Sequence, residues 1–226
     1  ANSGNANACT GDQGMKDAAA MADCFAGLLH TDPEKILVCS TGRIGVQMPM
    51  ENVENGIRAA FQAADNTPET AHHAAEAIMT SDNVSKEVAV ELTLGGKTVR
   101  IGGMCKGAGM IHPGMSATGK RPAAQPRQLH ATMLCFLTTD AAITAPTLQA
   151  ALENAVAKSF NRISVDGDMS TNDSVIALAN GVAANPTLTS TDSADFDTFC
   201  QALDHVCLTL AQKMVRDGEG VSRFIT

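Results

Sequence analysis

"KEVAVELTLGGKTVRI", residues 86–101, is the stretch that decides the fold. Val88, Val90, Leu92 and Leu94 fall on every second position, so one face of an extended segment is apolar. Gly95-Gly96 offers two residues free to take positive φ, and Thr98 to Ile101 resumes the extended pattern. That is a hairpin. On both sides the period changes. Met15, Ala18, Ala22, Phe25 and Leu29 mark a helix over residues 12–29. Val53, Ile57, Phe61 and Ala64 mark another over residues 50–64, and Pro68 opens a third over residues 68–79. Residues 35–39 read as a short buried strand running into a glycine-punctuated loop, Ser40-Thr41-Gly42-Arg43-Ile44-Gly45. Downstream, residues 132–138 read as a strand whose run from Met133 to Leu137 lacks polar alternation, so it should be covered on both faces. Pro146 is placed to start a helix over residues 146–160. Residues 162–165, 174–179 and 221–225 read as short strands, and residues 195–215 as the longest helix. Hairpin strands and helices alternate without a regular βαβ period, which favours α+β layers over a doubly wound sheet.

Composition narrows the function classes. The chain has 226 residues, a net charge of -8 and no basic run that would track phosphates, which argues against nucleic acid as the main partner. Trp and Tyr are absent, so aromatic platforms for stacked bases are scarce. No apolar run is long enough for a membrane span. The first residues, Ala1-Asn2-Ser3-Gly4-Asn5, are polar and uncharged, unlike a signal peptide. Seven cysteines in irregular spacing, several inside apolar runs, suggest core thiols in a reducing, cytoplasmic compartment. They offer neither a disulfide framework nor a zinc site. The chain begins in a loop and stops straight after an expected strand, so both ends read as truncated.

Several motifs fall short of the chemistry they suggest. Asp166-Gly167-Asp168 opens like a calcium loop, but Thr171 and Ala177 stand where Gly and Glu are required. His72 and His73 are adjacent rather than four apart, so they make no zinc-binding HExxH pair. In Lys106-Gly107-Ala108-Gly109 the lysine precedes the glycines, which is not a P-loop. No metal and no cofactor is expected.

Thr132 asks a different question. Residues 102–131 are rich in Gly, Pro and small residues, and Thr132 stands where they meet the apolar strand. A threonine opening a strand is ordinary. A threonine hydroxyl becomes a nucleophile when its own α-amine is free to act as base, which requires cleavage of the Ala131–Thr132 bond. The amine titrates near 8, so much of it is neutral at cellular pH. Thr41 and Gly42 could then offer a hydroxyl and a backbone N–H to an oxyanion. Lys106 offers a cation for a carboxylate, and Glu219, between glycines, an acid for a bound amine.

Seven ordered blocks carry a resemblance. They are "NSGNANACTG", "CSTGRIG", "AIMTSD", "GGMCKGAGMIHPGM", "ATMLCFLTTDAAI", "FNRISVDGDMSTNDS" and "RDGEGVSRFI". In this order, over essentially the whole chain, they are similar to the ornithine acetyltransferase family of arginine biosynthesis, the bifunctional glutamate N-acetyltransferases. The resemblance implies an αββα layered sandwich of the N-terminal-nucleophile-like type. It implies one catalytic-domain portion, residues 1–226, that cleaves itself between Ala131 and Thr132. Residues 1–131 would belong to an α chain and 132–226 to a β chain, with the two assembling into a heterotetramer. Thr132 matches the nucleophile, and Thr41 and Gly42 match the oxyanion pair. Thr80, Lys106, Thr132 and Glu219 match substrate-binding positions. The implied reaction moves an acetyl group from N2-acetylornithine to glutamate, giving ornithine and N-acetylglutamate, with acetyl-CoA a possible co-substrate.

The family's glycine-rich block runs almost directly into ATML, whereas fifteen residues, 116–130, intervene here. Thr118, inside that insert, also follows an alanine, but the Gly-Lys-Arg-Pro after it cannot form a buried strand, so packing favours Thr132. A water-using N-terminal-nucleophile amidase or peptidase, and an uncleaved inactive ligand-binding homologue, remain the alternatives.

Overall fold

The expected hairpin is the spine of the protein. In the computed structural model, which describes residues 1–116 and 133–225, strand β3 covers Lys86–Leu94 and β4 covers Lys97–Lys106. Gly95 (φ 53°) and Gly96 (φ 77°) both take the left-handed conformation a tight two-residue turn needs. β4 continues antiparallel to β5, Leu134–Thr139, and β5 runs parallel to β6, Ser174–Ala179, giving a four-stranded sheet in the order β3-β4-β5-β6. The parallel step needs a crossover, and helix α4, Ala145–Lys158, supplies it.

Helix α5, Ala194–Arg216, covers one face of the sheet. Ser193 caps it by accepting a hydrogen bond from the Phe196 N–H at 3.1 Å, and Asp195 and Asp197 complement the dipole in its first turn. Phe196, Phe199, Leu203, Val206, Cys207, Leu210 and Met214 are buried at helical spacing against Val99, Ile101, Cys105 and Leu137. Each fully buried side chain of this size contributes about 1.5–3 kcal/mol. Gly103 lets the helix come close. A Cβ there would lie 2.8 Å from Leu137 Cδ2 and 2.9 Å from Leu210 Cδ1.

The opposite face carries Lys106, Leu134 and Phe136 and looks toward a second, smaller layer. β1, Asn2–Asn5, pairs in parallel with β2, Ser40–Arg43. Helices α1, Gly11–Leu29, and α2, Met50–Ala63, pack outside, with Phe25 and Phe61 in edge-to-face contact. Helix α3, Pro68–Ala77, begins with a capping box at Thr67 and precedes β3. The layers therefore run α, β, β, α, the second sheet being two strands wide among the described residues. Between it and the main sheet lies an apolar cavity of about 1030 Å3, lined among others by Phe25, Ile57, Phe61, Phe136, Ile176 and Leu178.

Four expectations need correction. Residues 35–39 are not a strand; the strand is Ser40–Arg43, in the segment expected to be a loop. The ladder partner decides: Asn2–Asn5 pairs with Ser40–Arg43, while Leu37 is 60% exposed. Residues 162–165 follow a 3-10 turn, Phe160–Arg162, and are irregular. Residues 221–225 make no ladder among the described residues; Phe224 instead lies beneath the Arg216 guanidinium, 4.7 Å from its ring centre. Finally, the run from Met133 to Leu137 is not covered throughout, because Phe136 looks into the apolar cavity.

Candidate active site

The register of the main sheet builds the site. Lys106, the last residue of β4, pairs with Leu134, the first of β5. One residue of chain, Met133, thus separates Leu134 from Thr132, which lies outside the described residues, as do Ala131 and nearly all of the insert. The adjoining Met133 is firmly held. Its N–H donates to Asp173 Oδ1 at 3.1 Å, and its carbonyl accepts from the Ser174 N–H at 3.1 Å.

Lys106 is 0% exposed, on the sheet face that meets β2. Its ammonium donates to Thr41 Oγ1 at 3.1 Å and to Thr80 Oγ1 at 2.7 Å. The expected Thr41, Thr80 and Lys106 are therefore in direct contact. A hydroxyl that accepts from an ammonium has its own proton left to donate elsewhere, and the nearby positive charge strengthens it as a donor. Burial pushes the Lys106 ammonium down to about 8; Asp82 opposes that shift and Lys86 adds to it. The lysine, expected to face a substrate carboxylate, first of all organises two threonine hydroxyls.

Gly42 follows Thr41 with φ at +124° and lies against β1 so closely that a Cβ would stand 2.4 Å from the Gly4 carbonyl carbon. Only glycine fits this combination of backbone conformation and approach. β2 is anchored on its other side by Asn172, whose Nδ2 donates to the Ser40 carbonyl at 3.1 Å and to Ser40 Oγ at 3.2 Å.

Glu219 is exposed on the loop after α5. Its N–H donates to the Ala108 carbonyl at 2.7 Å, and its carboxylate sits over Gly109, where a Cβ would come within 2.8 Å of Glu219 Cδ. The loop from Gly107 to Ile111 is held from beneath by Asp166, which accepts from the Met110 N–H at 2.6 Å and the Ile111 N–H at 3.0 Å. The Asp-Gly-Asp turn that resembled a calcium loop thus braces backbone.

Three charged residues that motif reasoning passed over lie behind these groups. Asp82 accepts from Lys86 Nζ at 2.7 Å, the Gly107 N–H at 2.6 Å and the Thr80 N–H at 3.1 Å, with Lys106 Nζ at 3.9 Å. Lys86 also donates to Asp217 Oδ2 at 2.6 Å. Burial alone would raise both carboxyls, but the hydrogen bonds and charge of Lys86, with Asn83 for Asp217 and the Gly107 N–H for Asp82, hold both below their usual values. Asp82 and Lys86 sit four apart, the one local signal in the sequence.

The thiols stand apart from this chemistry. All seven cysteines are free, and burial pushes Cys105 and Cys207 up to about 12, which suits packing rather than nucleophilic attack. Among the described residues no group of His, Cys, Asp and Glu is arranged to hold a metal, and no helix is long and apolar enough to cross a membrane.

The fold is an α+β layered sandwich in which a glycine-backed Thr41, Thr80 and a buried lysine meet at the end of a sheet strand. The profile of the ArgJ family matches residues 1–226, and the chain belongs to that family. It is 52% identical over 225 residues to the arginine biosynthesis bifunctional protein ArgJ of Symbiobacterium thermophilum, covering 100% of this chain and 52% of that protein. It is 46% identical over 224 residues to the protein of the same name from Bacillus subtilis, covering 99% of this chain and 50% of that one. The crystal structure of arginine biosynthesis bifunctional protein argJ from Bacillus halodurans aligns over 51% of this chain and 59% of its own at 46% identity, with a TM-score of 0.49. The chain spans about half the length of the curated relatives it matches.

Proposed function

We propose that this chain is the catalytic portion of an acetyltransferase that moves an acetyl group from N2-acetylornithine to glutamate through an acyl-Thr132 intermediate. The observation that carries the reading is the contact of one buried ammonium with both Thr41 and Thr80, beside the glycine that only a close backbone approach explains. Family membership supports it independently.

In this reading the polypeptide first cleaves its own Ala131–Thr132 bond. The freed α-amine of Thr132 takes the proton of its hydroxyl as that oxygen attacks the acetyl carbonyl. Negative charge develops on the carbonyl oxygen, and the Thr41 hydroxyl, with Lys106 behind it, and the Gly42 N–H stabilise it. The C–N bond breaks, the α-amine returns its proton to the leaving nitrogen, and ornithine departs from an acetyl ester on Thr132. The amine of glutamate then attacks that ester, and the steps reverse to release N-acetylglutamate. An amide is broken and an amide is made, so no ATP, metal or cofactor is called for. Acetyl-CoA, a thioester, could load the same hydroxyl. Thr80, steadied by Lys106, and the exposed Glu219 carboxylate are the groups that contact substrate; Glu219 suits the ornithine side-chain ammonium.

The α chain, residues 1–131, and the β chain, residues 132–226, remain interlocked because β4 and β5 lie on opposite sides of the cut yet pair along Ile101–Lys106. Assembly as a heterotetramer in the cytoplasm completes the proposal; seven free thiols suit that reducing compartment. Intact mass of the full polypeptide, before and after addition of acetylornithine, tests it. Two chains with a cut before Thr132 and an added acetyl group on the second chain are expected, and Thr132→Ala should abolish both. Acetyl transfer at full rate by Thr132→Ala would overturn the reading, and hydrolysis without glutamate would favour the amidase.

A further inference from the structure

Lys86 has no part in the chemistry above, yet it is 0% exposed, among the largest fully buried side chains. Burying an ammonium is costly unless its donors are satisfied. Here Asp82 Oδ1 accepts at 2.7 Å, Asp217 Oδ2 at 2.6 Å and the Val84 carbonyl at 3.1 Å. A well-packed apolar side chain commonly fills such a position at comparable stability. What an ammonium adds is direction.

The two carboxylates carry that direction to three separate segments. Asp82 accepts from the backbone N–H of Thr80 and of Gly107, the residue after Lys106. Asp217 accepts from the Asn83 N–H and Asn83 Nδ2, both at 3.0 Å, and its own chain continues into Glu219. Glu219 closes the ring by donating its N–H to the Ala108 carbonyl. Thr80, Lys106 and Glu219 sit on segments with no shared ladder joining all three, and one ammonium stands where their anchors meet.

We propose that Lys86 is a positioning residue that sets the spacing of Thr80, Lys106 and Glu219 through the Asp82 and Asp217 carboxylates. The kinetic consequence rests on the acetyltransferase reading; the structural one does not. The charges reinforce the point. Lys86 faces Asp82 and Asp217, while Lys106 lies 3.9 Å from Asp82 with Asp173 and Glu219 also acting on its charge, so removing Lys86 leaves Asp82 to Lys106 and draws that ammonium toward it, away from Thr41.

The test uses Lys86→Met and the milder Asp217→Asn in the full polypeptide, with amide hydrogen exchange and steady-state kinetics on the folded protein. In both variants protection of residues 80–84, 106–110 and 217–220 should fall together while the paired amides of β4 and β5 stay protected. KM for acetylornithine should rise more than kcat falls, for a combined loss in kcat/KM of roughly 100-fold in Lys86→Met, the scale of a 1 Å misplacement. Asp217→Asn, which keeps shape, should show the same pattern at smaller size, and it decides the matter if Lys86→Met does not fold. Independent exchange of the three segments, or a folded variant with wild-type KM, would overturn the proposal. A wild-type protein without acetyl transfer would instead sink the acetyltransferase reading, with the exchange data still deciding the role of Lys86.

Discussion

Replacing Gly42 with alanine would separate two strands that must touch for the site to form. A Cβ at position 42 would stand 2.4 Å from the Gly4 carbonyl carbon, 2.6 Å from its oxygen and 2.8 Å from the Asn5 nitrogen. These are backbone atoms and cannot rotate away. Ordinary contact begins near 3.4 Å, so β1 and β2 must part by about 1 Å, the difference between 3.4 and 2.4 Å. Alanine held at φ +124° adds strain of about 1–3 kcal/mol. Stretching the ladder around the Gly4–Gly42 pair weakens one or two hydrogen bonds, each about 0.5–1.5 kcal/mol. The expected loss is about 2–5 kcal/mol, read as a shift in the urea midpoint followed by circular dichroism. Thr41 and Gly42 lie on the strand that moves, so the two proposed oxyanion donors shift with it. A misplacement of 1 Å costs roughly 100-fold in rate, measured as single-turnover acetylation of the β chain by mass spectrometry. Gly45→Ala is the control. Gly45 also has a positive φ, +79°, but nothing lies within 4 Å of its added Cβ. It should lose about 1–2 kcal/mol and little rate. If Gly42→Ala matches Gly45→Ala in both midpoint and acetylation rate within twofold, the close-approach argument is wrong.

Lys106→Met removes the cation behind Thr41 and Thr80 and should lower kcat by about 100-fold or more. Loss of the Lys106 proton near about 8 should add an alkaline limb to the wild-type rate, against the acid limb set by protonation of the Thr132 α-amine, and the variant's residual rate should keep only the acid limb. Asp82→Asn leaves Lys86 and Lys106 short of a buried counter-charge and should destabilise the protein by about 3–5 kcal/mol at neutral pH by urea titration. Because the folded Asp82 carboxyl titrates below its ordinary 3.8, the stability it contributes is present above that value. It is lost as pH falls through the lowered one, so the gap between wild type and Asp82→Asn should close in acid. Gly103→Ala should overpack α5 against β4, with Leu137 Cδ2 at 2.8 Å and Leu210 Cδ1 at 2.9 Å, costing about 1–3 kcal/mol in the urea midpoint while KM stays unchanged.

The elements legible in the sequence were those specified locally. α5 reads from the sequence as the longest helix, over residues 195–215, and spans Ala194–Arg216, and the hairpin reads through alternation into Gly95-Gly96. β2 was misplaced because Ile36-Leu37-Val38 has the stronger strand propensity, whereas the ladder is set by a partner at Asn2–Asn5 that no local window contains. Phe136 was expected to be covered because an apolar run says nothing of how wide the opposing layer is. In the site, ordered motifs pointed to Thr41, Thr80, Lys106 and Glu219, and the first three meet at hydrogen-bond distance. The supporting charges were not legible. Lys86 and Asp217 are 131 positions apart and belong to no motif that a nucleophile or oxyanion donor would require. Their pairing follows from where α5 ends relative to β3, which is a property of the packed sheet.

That packing also bears on residues 116–130, read from the sequence as an insert beside the proposed nucleophile. The insert lies between two anchors, each fixed from two directions. On one side Met115 exchanges hydrogen bonds with Asn161, its N–H donating to Oδ1 at 2.9 Å and its carbonyl accepting from Nδ2 at 2.9 Å. On the other, Met133 is held by Asp173 and by the Ser174 N–H. The β4–β5 ladder from Ile101 to Lys106 is complete between these anchors. The register that sets Lys106 opposite Leu134 therefore does not depend on the length of the connection. The entropy of closing a loop grows only with the logarithm of its length, so doubling the connection costs about 0.6 kcal/mol. The six-pair ladder and the two anchors outweigh a term of that size. The sheet, and not the connection, thus fixes Leu134 opposite the buried lysine.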